Sequence, residues 1–464
     1  MVVCGVYPFL SILWLLAHSD VPALTTIEDT ALLVAKSALQ AGLSTLITLL
    51  VGVPLSLVMA VWDFRFRSVF VGLISIPFIL PTVVTGLAIR GVVSETMAPG
   101  LMLVVLGHSL VNLAVVLRLV GSAAELFDQR LLVQARALGA SRWMAMASIA
   151  LPVMRPVLVR CAALIFSYCF SSLGLVLILG DRSVRTLETQ ALRQVSLLLD
   201  FRGAAMTTIA QFILVALVLW WASTQRTFAA AMSARPHSRR PLPLLGWARV
   251  YLIVIGLLGA APLVWLTSKV FIVNGTVTVG YFTKAWNESG LRDSLVYSVT
   301  LAGSVGLVTA LFAVAAAVAV TDRRWRRLSN VALVPLMFTS ATIGLGILLT
   351  FGRPPFAWDR SGLPLVFAQA LLALPLCYLY VVGRIDAVDP RLDVVARSLG
   401  SHGSRAFISA YGVALMTGGC VAAGLAAAVS LGEFGAASFL SDAQHPALTV
   451  LLMRQLGRPA ESSL

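Results

Sequence analysis

Four side chains able to hydrogen-bond or move protons, His108, Asn112, Gln369 and Glu433, stand within or at the edge of long apolar runs. A polar group at such a position marks either a pathway for a polar solute or a hydrogen bond between helices. His108 and Asn112 are four residues apart and share one face of a helix. Both readings stay open for them, as pathway residues or as bonds that hold a bundle. For Glu433 the second reading is an interfacial carboxylate that caps or pairs near the outer surface. No enzymatic constellation accompanies these residues. The three lysines, Lys36, Lys269 and Lys284, never follow a glycine, so the phosphate-binding GxxxxGK[ST] loop is absent. HExxH, CxxC and GxSxG are absent as well. The chain is therefore expected to be no enzyme, and to bind no metal and no cofactor itself.

The elements that position these residues are membrane helices. Of 464 residues 59% are hydrophobic and 12% charged, against roughly 25% charged in soluble domains; the mean hydropathy is +0.93. Apolar stretches of membrane-spanning length fall near 2–16, 33–61, 69–91, 101–120, 153–179, 204–222, 248–272, 295–320, 330–351, 363–383 and 414–440. The expected class is an all-α polytopic membrane protein. The net charge of +14 does not indicate nucleic acid, because the cations cluster in alternate loops. Arg65 and Arg67, Arg226 to Arg249, and Arg323, Arg324, Arg326 and Arg327 lie on one side. Asp20, Glu28, Asp29, Glu95, Asp181, Glu188, Glu288, Asp359 and Asp442 occupy the other loops. This bias places the basic loops in the cytoplasm. Cys4, Cys161, Cys169, Cys377 and Cys420 lie in apolar runs without ligand spacing and read as small buried hydrophobes. No cation precedes Lys36, so the first sixteen residues are not expected to be a cleaved signal.

The chain repeats itself. At an offset of 261, Ser37, Ala41 and Gly42 match Ser298, Ala302 and Gly303; Gly174 matches Gly435, and Leu187 matches Leu448. Arg193-Gln194 likewise match Arg454-Gln455, Gln369 takes the place of His108, and Glu433 that of Ser172. At an offset of 258, Pro77 matches Pro335 and Gly86-Leu87 match Gly344-Leu345. Two parallel repeats related by an axis along the membrane normal follow. The expected division is 1–30, a partial first transmembrane helix and outer loop; 31–222, the first repeat; and 223–247, a basic cytoplasmic linker at anionic headgroups. An extra transmembrane helix and outer loop occupy 248–290, and the second repeat occupies 291–464. About 11 helices of an expected 12 are present, so a longer chain is expected at both ends.

The clearest repeated segment is ARALGASRWMAMASIALP, Ala135 to Pro152, which returns as ARSLGSHGSRAFISAYGV, Ala396 to Val413. Gly139 and Gly400 suit a turn or a close backbone approach. Trp143, Met144 and Phe407 could anchor a docked partner, and Pro152 suits the start of the next helix. The alternative is an interfacial helix resting on lipid, with Arg136, Arg142 and Arg155 at headgroups. The first copy resembles the EAA loop of binding-protein-dependent ATP-binding-cassette importer permeases, a triplet followed by Gly and then I-x-L-P. The triplets here are Val133-Gln134-Ala135 and Val394-Val395-Ala396, so the Glu is missing from both. Gly412-Val413 replaces Leu-Pro in the second copy. ALIFSYCFSSLGLVLILG, TLETQALRQ and SLGEFGAASFL are further similar to the fused permeases of thiamine and ferric-iron importers.

That resemblance implies two type I importer permease folds in one chain of the bacterial inner membrane. It also implies two cytoplasmic ATPase subunits that use the ATP and an extracytoplasmic solute-binding protein. Ala135, Leu138, Gly139, Ala140, Ser141, Ile149, Leu151 and Pro152, with Ala396, Leu399, Gly400 and Ser401, would couple to the ATPases. The solute would be thiamine or ferric iron. The alternative function is an ion-coupled secondary transporter, which also uses parallel repeats but usually needs buried carboxylates, for which Glu433 is the one candidate.

Overall fold

The computed structural model describes residues 2–18, 23–93, 99–181, 184–225, 240–241, 246–273, 276–287, 289–321, 330–351, 362–389, 391–441 and 446–456. Most of the 223–247 linker and Asp20, Glu95, Glu288, Arg323, Arg324, Arg326, Arg327, Asp359 and Asp442 lie outside the described residues.

The chain is helical, as its composition requires. In order come α1 (Val2–His18), α2 (Ile27–Val61), α3 (Arg67–Ile79), α4 (Thr82–Val92), α5 (Gly100–Leu126) and α6 (Arg130–Ala137). Then follow α7 (Arg142–Ala145), a π turn (Met146–Ala150), α8 (Leu151–Phe170), α9 (Gly174–Leu179), α10 (Leu187–Ser196) and α11 (Phe201–Ser223). The second half holds α12 (Trp247–Phe271), α13 (Gly280–Asn287), α14 (Ser289–Thr321), a 3-10 segment (Asn330–Met337) and α15 (Ser340–Phe351). It closes with α16 (Leu363–Asp386), α17 (Arg391–Ser398), α18 (Ser404–Gly432), α19 (Gly435–Leu440) and α20 (Leu448–Leu456). Two pairs of two-residue strands are the extended elements among the described residues. Eight described helices are long and apolar enough to cross a membrane, nine if the bent pair α3–α4 is one span.

Local chemistry sets the boundaries. Thr26 and Asp29 form a capping box at the start of α2: the Asp29 N–H donates to Thr26 Oγ1, and the Thr26 N–H donates to Asp29 Oδ2. The stretch expected as one span at 69–91 is two helices meeting at 110° across Leu80-Pro81. Pro81 lacks the N–H that a continuous helix would use. The spans expected at 153–179 and 414–440 also break, α8 from α9 and α18 from α19, each ahead of a glycine.

The described chain forms two compact units. One comprises Thr26–Gln190 and Ile213–Val279, chiefly the first repeat together with α12. Its centre is α5, whose apolar window is 78% buried, against 22% for the peripheral α12. One apolar cluster holds α2, α5 and α8 together through Ala41, Val116, Cys161, Ile165 and Phe170. A second seats α12 against α2 and α3 through Leu55, Ile74, Leu252 and Ile255, and the indole of Trp265 lies directly over Gly91 of α4.

The other unit comprises Met1–Thr25, Ala191–Phe212 and Gly280–Leu464, chiefly the second repeat together with α1. Here the Pro8 carbonyl lies 2.8 Å from where a Cβ on Gly346 would sit, so α1 rests on the backbone of α15. Ile12, Leu345 and Phe439 share the core beneath it. The long helix that precedes each sequence repeat thus belongs to the unit built mainly from the other repeat.

Candidate functional site

The repeated segments form helix–turn structures whose two ends are built alike. At the start, the Arg130 N–H donates to Asp128 Oδ1 at 2.9 Å, and the Arg391 N–H to Asp389 Oδ1 at 2.9 Å. Each aspartate satisfies a donor that the first turn leaves unpaired. At the end, the Ala140 N–H donates to the Ala135 carbonyl and the Gly139 N–H to that of Arg136, both at 3.0 Å. The Ser401 N–H donates to Ala396 and the Gly400 N–H to Arg397, again at 3.0 Å. This six-to-one and five-to-two pairing is a Schellman stop, which needs a left-handed residue after the helix. Gly139 has φ +91° and Gly400 φ +87°. The four-residue step from Ala135 to Gly139 is therefore the length of a helical stop.

No residue of α6 or α17 is buried. Val133 and its repeat counterpart Val394 are each 66% exposed, Leu138 and Leu399 are 89% and 81%, and Trp143 is 85%. Each segment thus displays apolar side chains at matched positions over a rigidly capped turn.

Beyond the turn the copies diverge. Ser141 Oγ accepts the Met144 N–H at 3.1 Å and so caps α7, whereas α18 starts after Gly403 with no side-chain cap. In the first copy Ile149 lies in the π turn Met146–Ala150, and Leu151-Pro152 open α8. Pro152 cannot donate to the carbonyl four residues back, and its ring crowds that carbonyl, which accounts for the widened turn. With Val413 in its place, α18 runs unbroken from Ser404 to Gly432.

His108 and Asn112 lie in a buried polar cluster among α2, α5 and α8. Gln40 Nε2 donates to His108 Nδ1 at 2.8 Å and to Ser44 Oγ at 3.0 Å. An amide nitrogen can only donate, so in this orientation the imidazole carries its proton on Nε2. Asn112 Nδ2 donates to the His108 carbonyl at 2.9 Å and to Cys169 Sγ at 3.5 Å. His108 Nε2, Asn112 Oδ1 and Gln40 Oε1 are buried with no protein partner. In the other unit Ser430 Oγ donates to Gln369 Oε1 at 2.5 Å, and Ser430 is the repeat counterpart of Cys169. Glu433 accepts the N–H groups of Ala436 at 2.9 Å and Ala437 at 3.1 Å, capping α19. At the places of Gln40, Ser44 and Asn112 the second repeat carries Leu301, Val305 and Ala373.

Residue reasoning from the sequence omitted Gln40, Ser44, Asp128 and Asp389. The aspartates had a legible signal, Asp128-x-Arg130 recurring as Asp389-x-Arg391 at the common offset. Gln40 and Ser44 are four apart on α2, but only packing brings them to His108.

Helices of this length and composition define a multi-pass membrane protein. The family of binding-protein-dependent transport system inner membrane components matches residues 52–239. The molybdate/tungstate transport system permease protein of Thermococcus kodakarensis is 31% identical over 174 residues, 37% of this chain and 70% of that protein. The thiamine transport system permease protein of Haemophilus influenzae is 22% identical over 447 residues, 90% of this chain and 82% of its own length. A probable molybdenum ABC transporter permease protein of Haloferax volcanii is 29% identical over 185 residues, 38% of this chain and 68% of that protein. The chain belongs to the binding-protein-dependent transport system inner membrane component family. It is a permease subunit of an ATP-binding-cassette importer, a transport component and not an enzyme.

Proposed function

We propose that this permease moves thiamine, received from an extracytoplasmic binding protein and driven by two ATPase subunits docked on its two loops. What supports thiamine is the span of the similarity to the thiamine permease, which runs through both repeats. A molybdate-type oxyanion is the second reading, favoured by the higher identity over a shorter stretch of 174 residues. Ferric iron is the third solute, implied by the resemblance of the post-loop segments. Uptake into proteoliposomes holding this chain, its ATPase and its binding protein separates the three. Thiamine accumulation that needs ATP and the binding protein is the expected result; molybdate or iron accumulation in its place overturns it.

Docking through Ala135–Pro152 and Ala396–Val413 is supported by their matched caps and exposed apolar residues. Docked ATPases would close on ATP and drive a rigid-body movement that alternates access. For His108 and Asn112 the hydrogen bonds favour a role in holding α2, α5 and α8 together, and for Glu433 a helix cap. Gln369, bonded to Ser430, is the pathway candidate with the fewest structural duties.

A further inference from the structure

The two docking segments carry arginine at the same place, Arg136 on α6 and Arg397 on α17, both exposed. Their electrostatic settings differ. Arg397 Nε donates to Asp393 Oδ2 at 2.9 Å, an ion pair one turn apart on the same helix. The residue matching Asp393 in the first segment is Leu132, and no acidic residue occurs from Gln129 to Gly180. Arg136 therefore has no counter-charge on its own helix or anywhere in the α6–α9 stretch. It stands three residues after Val133, which is 66% exposed on the same helix face. A partner that covers Val133 must also take water from Arg136. Removing water from an unpaired guanidinium is strongly unfavourable, whereas Arg397 can be covered together with its own carboxylate.

We propose that the ATPase groove receiving the first segment places a carboxylate opposite Arg136, while in the second segment the matching Arg397 docks already paired with Asp393. The inference rests on the docking reading above. It makes the two docking sites unequal in salt dependence even where both ATPase subunits are identical, since interfacial charge pairs of this kind govern specificity and association rate.

The test uses the full chain in lipid nanodiscs with the ATPase that co-purifies with it. Cysteines introduced as Ser141→Cys and Ser401→Cys, with the native cysteines replaced, report by cross-linking whether each loop reaches the ATPase. If neither cross-links, the docking reading itself fails. With both cross-links present, Arg136→Gln should lower solute-stimulated ATP hydrolysis about tenfold and Arg397→Gln about twofold. Leu132→Asp should give the first segment the intrahelical pair of the second and flatten its response to salt. Asp393→Leu should confer salt sensitivity on the second. Equal losses in the two Gln variants, with cross-links intact, would overturn the proposal. So would an Arg136→Gln defect that disappears in discs without anionic lipid, which would assign Arg136 to headgroups.

Discussion

Ser37 and Leu187 are joined by a hydrogen bond that the chain makes twice. The Leu187 N–H at the start of α10 donates to Ser37 Oγ on α2 at 3.1 Å. The Leu448 N–H at the start of α20 donates to Ser298 Oγ on α14 at 2.8 Å. Each bond serves a first-turn donor that has no intrahelical partner and ties a short amphipathic helix to a long membrane helix. Ser37→Ala and Ser298→Ala should each cost about 1–3 kcal/mol, the penalty for a buried donor left unmade. Thermal unfolding in detergent reads this; unchanged midpoints for both variants would show that the bonds contribute nothing net.

Gly139 and Gly400 should resist replacement for a backbone reason. At φ +91° and +87° a β-branched side chain is strained, although no neighbouring atom would touch the new Cβ. Gly139→Val and Gly400→Val should abolish solute-stimulated ATP hydrolysis while the protein still inserts in the membrane. The second loop, lacking Leu-Pro, should tolerate the change better. Gly42→Ala, also in open space but helical, is the matched control. Normal coupling in the double Val variant would dispose of the docking role.

The His108 cluster predicts a non-additive pair. Gln40→Leu or His108→Leu alone strands a buried partner and should destabilise by about 1–3 kcal/mol. The double variant removes both polar groups and should recover most of the loss. Specific uptake in the double variant should stay near that of the parent. A stable double variant that has lost uptake would place the cluster on the solute pathway instead.

Close approach at the repeat-matched glycines gives a rescue test. A Cβ on Gly174 would collide with Thr82 Oγ1, and one on Gly435 with Ser340 Oγ. Gly174→Ala should therefore cost about 1–3 kcal/mol. Adding Thr82→Ala, which clears the hydroxyl, should restore part of it. Equal melting temperatures for the single and double variants would mean that α4 and α9 separate rather than clash.

The repeat, the membrane class and the two capped loops were all legible in the residue order, because each rests on periodicity or on short-range geometry. The Ala135-to-Gly139 step is a helical stop at any location, and a 20-residue apolar run spans a bilayer whatever packs beside it. What lay beyond the sequence was decided by contacts between residues far apart in it. Only tertiary packing carries α1 onto α15, sets Trp265 over Gly91, and brings Gln40 to His108 across 68 positions. The stretch 69–91 read as one span, and the 110° angle between α3 and α4 at Leu80-Pro81 depends on what each helix buries. Glu433 shows the limit most plainly. The sequence left its carboxylate either on the pathway or as a group that caps or pairs near the outer surface, and its bonds to the first N–H groups of α19 follow from the direction in which the chain turns after Gly432.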